Sequence, residues 1–284
     1  MAKAEQITGP EAGHGEGPVW STTWGGLCFV DMLVGDVLRL DRSSGSLTRW
    51  HVGKVAAALR PRGQAGAVLA TEREFMVCEE IGGELVSLSE VFDDPKIRFN
   101  DGACDPAGNF LCGTMAYDEH PGSGILYRLG ADHAVSTVLT GVTISNGLDW
   151  TVDSSRAYYV DTPTGRIDMF DSDLTGELAN RRPFVTIESG FGSPDGLTVD
   201  AQGGVWTALW GGSAVHHYSA FGVLQDVIDL PTANVTACTF GGDNLDELFI
   251  TTSREGADPR DAAAGALFRY LPGVEGVPAL PFAG

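Results

Sequence analysis

Four polar residues of this 284-residue chain, Glu16, Asn100, Asn146 and Asp195, recur at the head of similar short apolar segments. Two are carboxylates and two are amides that offer a carbonyl oxygen. An all-oxygen set of this kind suits a hard cation such as Ca²⁺, Mg²⁺ or Mn²⁺, and two carboxylates balance a divalent charge. Asn-Gly and Asp-Gly are also favoured turn dipeptides, so any one of these residues alone reads as a turn former. Four in phase, with Glu16 outside that explanation, point to a shared site. Asp101, one residue past Asn100, is a second candidate carboxylate. Arg98 and Asn100 alternate along one predicted strand and so face the same side.

Residues this far apart in sequence meet only if the chain returns repeatedly to one axis. The clearest repeat unit is SPDGLTVDAQGGVWTALWGG, residues 193–212. It reads as a turn presenting Asp195, a short strand, an Asp-to-Gly hairpin turn and an antiparallel second strand. Echoes occupy residues 16–32, 100–115, 146–162 and 236–252, with a degenerate copy at 58–80 whose second strand is expected at 74–77. A period of roughly 40 to 50 residues with alternating apolar strands predicts an all-β fold, a six-bladed β-propeller with four-stranded antiparallel blades around a central channel. The chain reads as a single domain, 1–284, with blades at about 16–52, 55–91, 98–139, 142–187, 192–230 and 233–270. Part of residues 1–12 is expected to add a strand to the last blade and close the ring. The Pro- and Gly-rich tail 271–284 is expected on the surface, and the long loop 116–124 is a candidate lid.

Composition narrows the partners. The formal charge of −20 makes nucleic acid or an anionic membrane poor partners, since such binding is driven by basic patches that release counterions. No run of 18 apolar residues and no apolar leader at the N-terminus are present, so the expectation is a cytoplasmic protein without a membrane span. Five cysteines without a CxxC pair read as reduced, buried thiols. Sharper motifs fail. DSDLTG at 171–176 begins like an EF-hand loop, but its twelfth position is Arg182, which cannot be the bidentate acid. HExxH and GxSxG are absent, which removes the zincins and the nucleophile-elbow hydrolases.

EGPVW at 16–20, RFNDG at 98–102 with DPAGNFLCGTM behind it, ISNGLDW followed by YYVDT, and SPDGLTVDAQGGVW with LWGG resemble the signature segments of the SMP-30/gluconolactonase/luciferin-regenerating (regucalcin-like) family. That resemblance implies a six-bladed propeller with one divalent metal and, commonly, hydrolysis of sugar lactones. It implies Glu16, Asn146 and Asp195 as metal ligands, with Asp195 also as general base, and Arg98 and Asn100 as substrate contacts. The family position ordinarily held by Glu after the GTM segment falls on Asp118. The expected activity is a metal-dependent lactonase, a carboxylic ester hydrolase, acting on a small sugar lactone as a monomer or small homo-oligomer. Ca²⁺ is the first choice of cation, with Zn²⁺, Mg²⁺ or Mn²⁺ as alternatives. Two other functions remain open: a non-catalytic calcium-binding regulatory propeller, and a metal-dependent esterase or phosphotriesterase on a different ester.

Overall fold

The computed structural model describes residues 2–63 and 65–284. Six antiparallel sheets follow one another at residues 15–51, 58–90, 97–142, 145–186, 193–229 and 235–270. The first strand of each sheet touches the first strand of the next, and the sixth returns to the first, so the sheets form a ring of six four-stranded blades. Among the described residues, helix is confined to two single 3₁₀ turns, Thr22–Trp24 and Thr162–Thr164, and no helix is long and apolar enough to cross a membrane.

The N-terminal segment closes the ring. Glu5–Gln6 pairs antiparallel with Phe268–Tyr270 and completes the sixth blade, which removes a free sheet edge as expected. Ala2–Lys3 goes further and adds a parallel strand to Leu224–Asp229 at the outer edge of the fifth blade. The first few residues thus join two blades.

The core lies between blades rather than inside one. Trp206, Val215 and Ile228 of the fifth blade pack on Phe240, Leu248 and Ile250 of the sixth, and Trp20, Leu27 and Leu38 of the first meet Phe249 of the sixth. A strand covered on both faces loses the alternation that marks a half-buried one. This explains a misread segment: residues 58–80 hold three strands, Ala58–Arg62, Gly66–Ala70 and Glu74–Cys78, and the middle one, GAVLA, is buried throughout. The strand expected at 74–77 is therefore the third of its blade, not the second.

The leading polar residues also sit differently from expectation. Asp195 lies within the strand Ser193–Val199, at a register shift between Pro194 and Leu197, and not in a turn. The same irregularity falls after Glu16, after Ser145 and after Phe99. A bulge leaves a residue unpaired and re-aims its side chain, and after Asn146 and Asp195 the glycine that follows is required by close packing on the next blade. A Cβ on Gly196 would come within 2.4 Å of Ala237 Cβ, and one on Gly147 within 2.6 Å of the Leu197 nitrogen. By strand register Asn100 is the first unpaired residue of its bulge, the place that Asn146 and Asp195 hold in their blades, while Asp101 is the residue directly before the glycine.

The tail lies over the surface as expected, pinned by its two buried residues, Gly276 and Phe282. Asp200 bridges Gly276 on the fifth blade, and Phe282 bridges Arg62 on the second. Between them Val277, Pro278, Ala279 and Leu280 cross the far mouth of the channel and wall off a small cavity of about 50 Å³ against Leu148 and Leu197. Phe282 is buried in the core. All five cysteines are free and buried, and burial raises the Cys28 thiol to about 12. Cys112 lies opposite Gly102 and Cys104 opposite Phe110, so the two do not face each other across their hairpin.

Candidate metal and substrate site

Two aspartates fix the entry to the inner strands. Asp31 ends Gly26–Asp31 and accepts the backbone N–H groups of Gly13 and His14 at 3.0 and 2.9 Å. Asp161 ends Arg156–Asp161 and does the same for Thr143 and Ile144 at 3.1 and 3.0 Å. Glu16 and Asn146, two residues further along each chain segment, start from anchored backbone.

The open mouth of the channel widens into a cavity of about 550 Å³ whose wall includes Glu16, Asn146, Asp195, Arg98 and Asn100. The fold therefore brings together five of the six residues singled out from sequence. The sixth, Asp118, is exposed, lies outside the cavity wall and accepts the His120 N–H at 3.3 Å. Its neighbours Tyr117 and Glu119 line the cavity instead. Glu119 adopts a left-handed φ of 56°, and the turn carries the chain past Asp118 with that side chain outward. The loop 116–124 is tied down as a wall, with the Tyr117 hydroxyl on Glu72 at 2.6 Å and the Gly122 N–H on Thr143 at 3.2 Å.

Burial marks three of these groups, and two of them carry an oxygen without a partner among the described residues. Asn146 Oδ1 and Asp195 Oδ1 are buried and accept no hydrogen bond. Burial, reinforced by the charge of Asp101, raises Glu16 to about 8. Burial pushes Asp195 well above the ordinary carboxylate range, with Glu16 and Asp101 adding to the effect. Buried polar oxygens are normally hydrogen-bonded, and acids that repel one another in a closed pocket favour a cation among them. A hard divalent cation fits the set Glu16, Asn146 and Asp195 on this chemistry. Among the described residues no three His, Cys, Asp or Glu side chains gather as a metal cluster, so the amide is needed to complete the trio. Asp101 is buried and its carboxyl accepts the Gly102 N–H at 2.7 Å. It does not line the cavity, which leaves it a role in the field of the site.

Arg98 and Asn100 act as a pair. Arg98 Nη1 donates to Asn100 Oδ1 at 2.7 Å and to Phe99 O at 3.0 Å, and Asn100 Nδ2 donates to Ser145 O at 2.8 Å. Both ends of the amide are committed, so Asn100 holds the guanidinium in place rather than offering a free carbonyl oxygen. Sequence reasoning missed several wall residues, among them His14, Trp210, Thr162 and Glu255. His14 Nδ1 meets Ser253 Oγ at 2.7 Å, and burial together with Arg98 lowers the imidazole to about 4, so it is neutral. GHGEG and LWGG carry two of these residues next to recognised motifs. Glu255 comes from the 254–265 insertion, which no motif marks.

The fold and the site define a six-bladed propeller protein with an acidic, oxygen-rich cavity at one mouth of its channel. The chain belongs to the SMP-30/Gluconolactonase/LRE-like family, whose model matches residues 14–254. Regucalcin of Homo sapiens is 35% identical over 283 residues, which cover 95% of this chain and 95% of that protein. A luciferin-regenerating enzyme of known structure superposes with a TM-score of 0.89 at 32% identity over 98% of each chain. A regucalcin of Agrobacterium tumefaciens, described as a calcium-binding protein, superposes with a TM-score of 0.90 at 25% identity, covering 100% of this chain and 97% of that one.

Proposed function

We propose that the protein is a divalent-cation-dependent lactonase that opens an aldonolactone of a five- or six-carbon sugar to the aldonic acid. The observation that carries this reading is the pair of buried, partnerless oxygens, Asn146 Oδ1 and Asp195 Oδ1, beside Glu16 in a cavity that also holds the Arg98 guanidinium. Glu16, Asn146 and Asp195 would hold the cation, with Ca²⁺ the first candidate. When bound, a divalent ion supplies charge that polarises an ester carbonyl and eases deprotonation of water.

The chain's own groups do the rest. Arg98 spends Nη1 on protein acceptors and, among the described residues, leaves Nη2 and Nε without a hydrogen-bond partner, so they can donate to the developing oxyanion or to ring hydroxyls. Asp195 would take a proton from water as it adds to the lactone carbonyl carbon. The ring C–O bond then breaks and the ring oxygen takes up a proton, which gives the hydroxy acid. A positioned base contributes typically 10²- to 10⁴-fold. Trp210 and Tyr117 add aromatic surface to the cavity wall. The protein would act on this small neutral substrate in the cytoplasm, as a monomer or small homo-oligomer, without nucleic acid or membrane.

Proton release on addition of several sugar lactones, with and without EDTA, tests the reading. Cation-dependent acceleration over spontaneous opening is expected, and its absence for every lactone with cation-loaded protein counts against it. Similarity to regucalcins favours a second reading, a calcium-binding regulatory propeller. It predicts tight cation binding with no turnover of lactones, aryl esters or phosphotriesters.

A further inference from the structure

We propose that Thr162 is a positioning residue that sets which way the Asn146 amide faces, and through it the affinity of the site for a divalent cation. The inference rests on the cation reading given above. Thr162 directly follows the strand Arg156–Asp161 and opens the 3₁₀ turn Thr162–Thr164. Its backbone is held on both sides: the N–H donates to Ile144 O at 3.1 Å, and the carbonyl accepts the Gly165 N–H at 3.0 Å. Pro163 restricts it further, since a residue preceding proline has few allowed conformations.

A hydroxyl has one hydrogen to give. Thr162 Oγ1 donates it to Pro194 O at 2.9 Å. Toward Asn146 the oxygen can then only accept, and it does so from Nδ2 at 3.0 Å. With the amide turned over, Asn146 Oδ1 would face an oxygen that has no hydrogen left for it. The orientation is therefore dictated by the network, not chosen freely, and it aims Oδ1 away from Thr162 as the buried, partnerless atom of the site. The acceptor of the hydroxyl, Pro194, immediately precedes Asp195. One side chain thus ties the fourth and fifth inner strands together at the level of two of the three proposed ligands.

The decisive measurement is calorimetric titration of Ca²⁺ into EDTA-stripped protein. Removing a group that orients a metal ligand typically weakens affinity about 10- to 100-fold. Thr162→Val keeps the shape and deletes the hydroxyl, so its Kd should rise by about that factor, while Thr162→Ser should stay near wild type. The effect should shrink in an Asn146→Asp background, because two carboxylate oxygens are equivalent and need no orienting. A purely structural role would cost the same in both backgrounds, and heat unfolding in EDTA reports on the fold separately. Equal Kd for Thr162→Val and wild type overturns this inference alone. A wild-type protein that binds no divalent cation overturns the cation reading and this inference with it.

Discussion

Arg98 Nη1 lies 2.7 Å from Asn100 Oδ1, and the same amide donates from Nδ2 to Ser145 O at 2.8 Å. Asn100 is thus a brace between a cationic side chain of the third blade and the backbone of the fourth. Hydrogen bonds to charged groups are worth about 1.5–3 kcal/mol. Asn100→Ala should therefore lower kcat/KM for a sugar lactone by roughly 10- to 100-fold and leave the Kd for Ca²⁺ within about twofold, since no ligand is lost. Steady-state kinetics beside calorimetry separate the two. Loss of cation binding would make Asn100 a ligand and reverse its assignment.

Adjacent acids in the 116–124 loop should behave differently. Asp118 is exposed outside the cavity, whereas Glu119 lines it. Asp118→Ala should stay within about twofold of wild type in kcat/KM, as surface substitutions usually change little. Glu119→Ala should raise KM about fivefold, the scale of one hydrogen bond to a substrate hydroxyl. The opposite ranking would return the family-like contact to Asp118.

Cation removal should matter more as pH rises. Glu16 ionises at about 8 in the folded, metal-free chain against an ordinary 4.5. A carboxyl raised in this way contributes stability that is complete below the unfolded pKa and is lost as pH climbs through the folded one. The metal-free protein should thus lose stability between pH 4.5 and about 8, and Ca²⁺ should restore more Tm near the upper end of that window than near the lower. Scanning calorimetry with and without EDTA measures both. A Ca²⁺-induced rise in Tm that does not grow with pH would contradict the electrostatic account.

The C-terminal tail should be a structural element in its own right. Phe282 is 2% exposed, its N–H donates to Pro61 O at 2.7 Å, and the Ala283 N–H donates to Gly108 O at 2.9 Å. Large-to-small substitution of a buried aromatic costs about 3–5 kcal/mol. Phe282→Ala should destabilise by that order in urea unfolding. A change below about 1 kcal/mol would mean that the tail packs without holding the blades.

Much of this protein is determined by local sequence. The Asp-to-Gly hairpin of residues 200–204 and its echoes announce strands and their spacing, because turn geometry depends on a few neighbouring residues. Glu16, Asn146 and Asp195 are legible as a set because each stands directly before a glycine: Gly147 and Gly196 sit too close to the next blade to carry a Cβ, and Gly17 adopts a left-handed φ of 49°. Ring closure by Glu5–Gln6 is likewise foreseeable from the demand that no sheet edge stay free. Other features exist only once the ring has formed. Asn100 takes the bulge position that Asn146 and Asp195 hold, yet its amide is spent on Arg98 and on Ser145 O, partners that only the folded strands supply. Asp118 turns outward and Glu119 inward on one left-handed residue. The tail finds its place because six blades leave a channel mouth for Val277–Leu280 to cover, a surface with no counterpart in the unfolded chain. Which end of the Asn146 amide faces the site depends on the single hydroxyl proton that Thr162 gives to Pro194 O. The sequence carries the donors and acceptors, and only their convergence in three dimensions decides who is left without a partner.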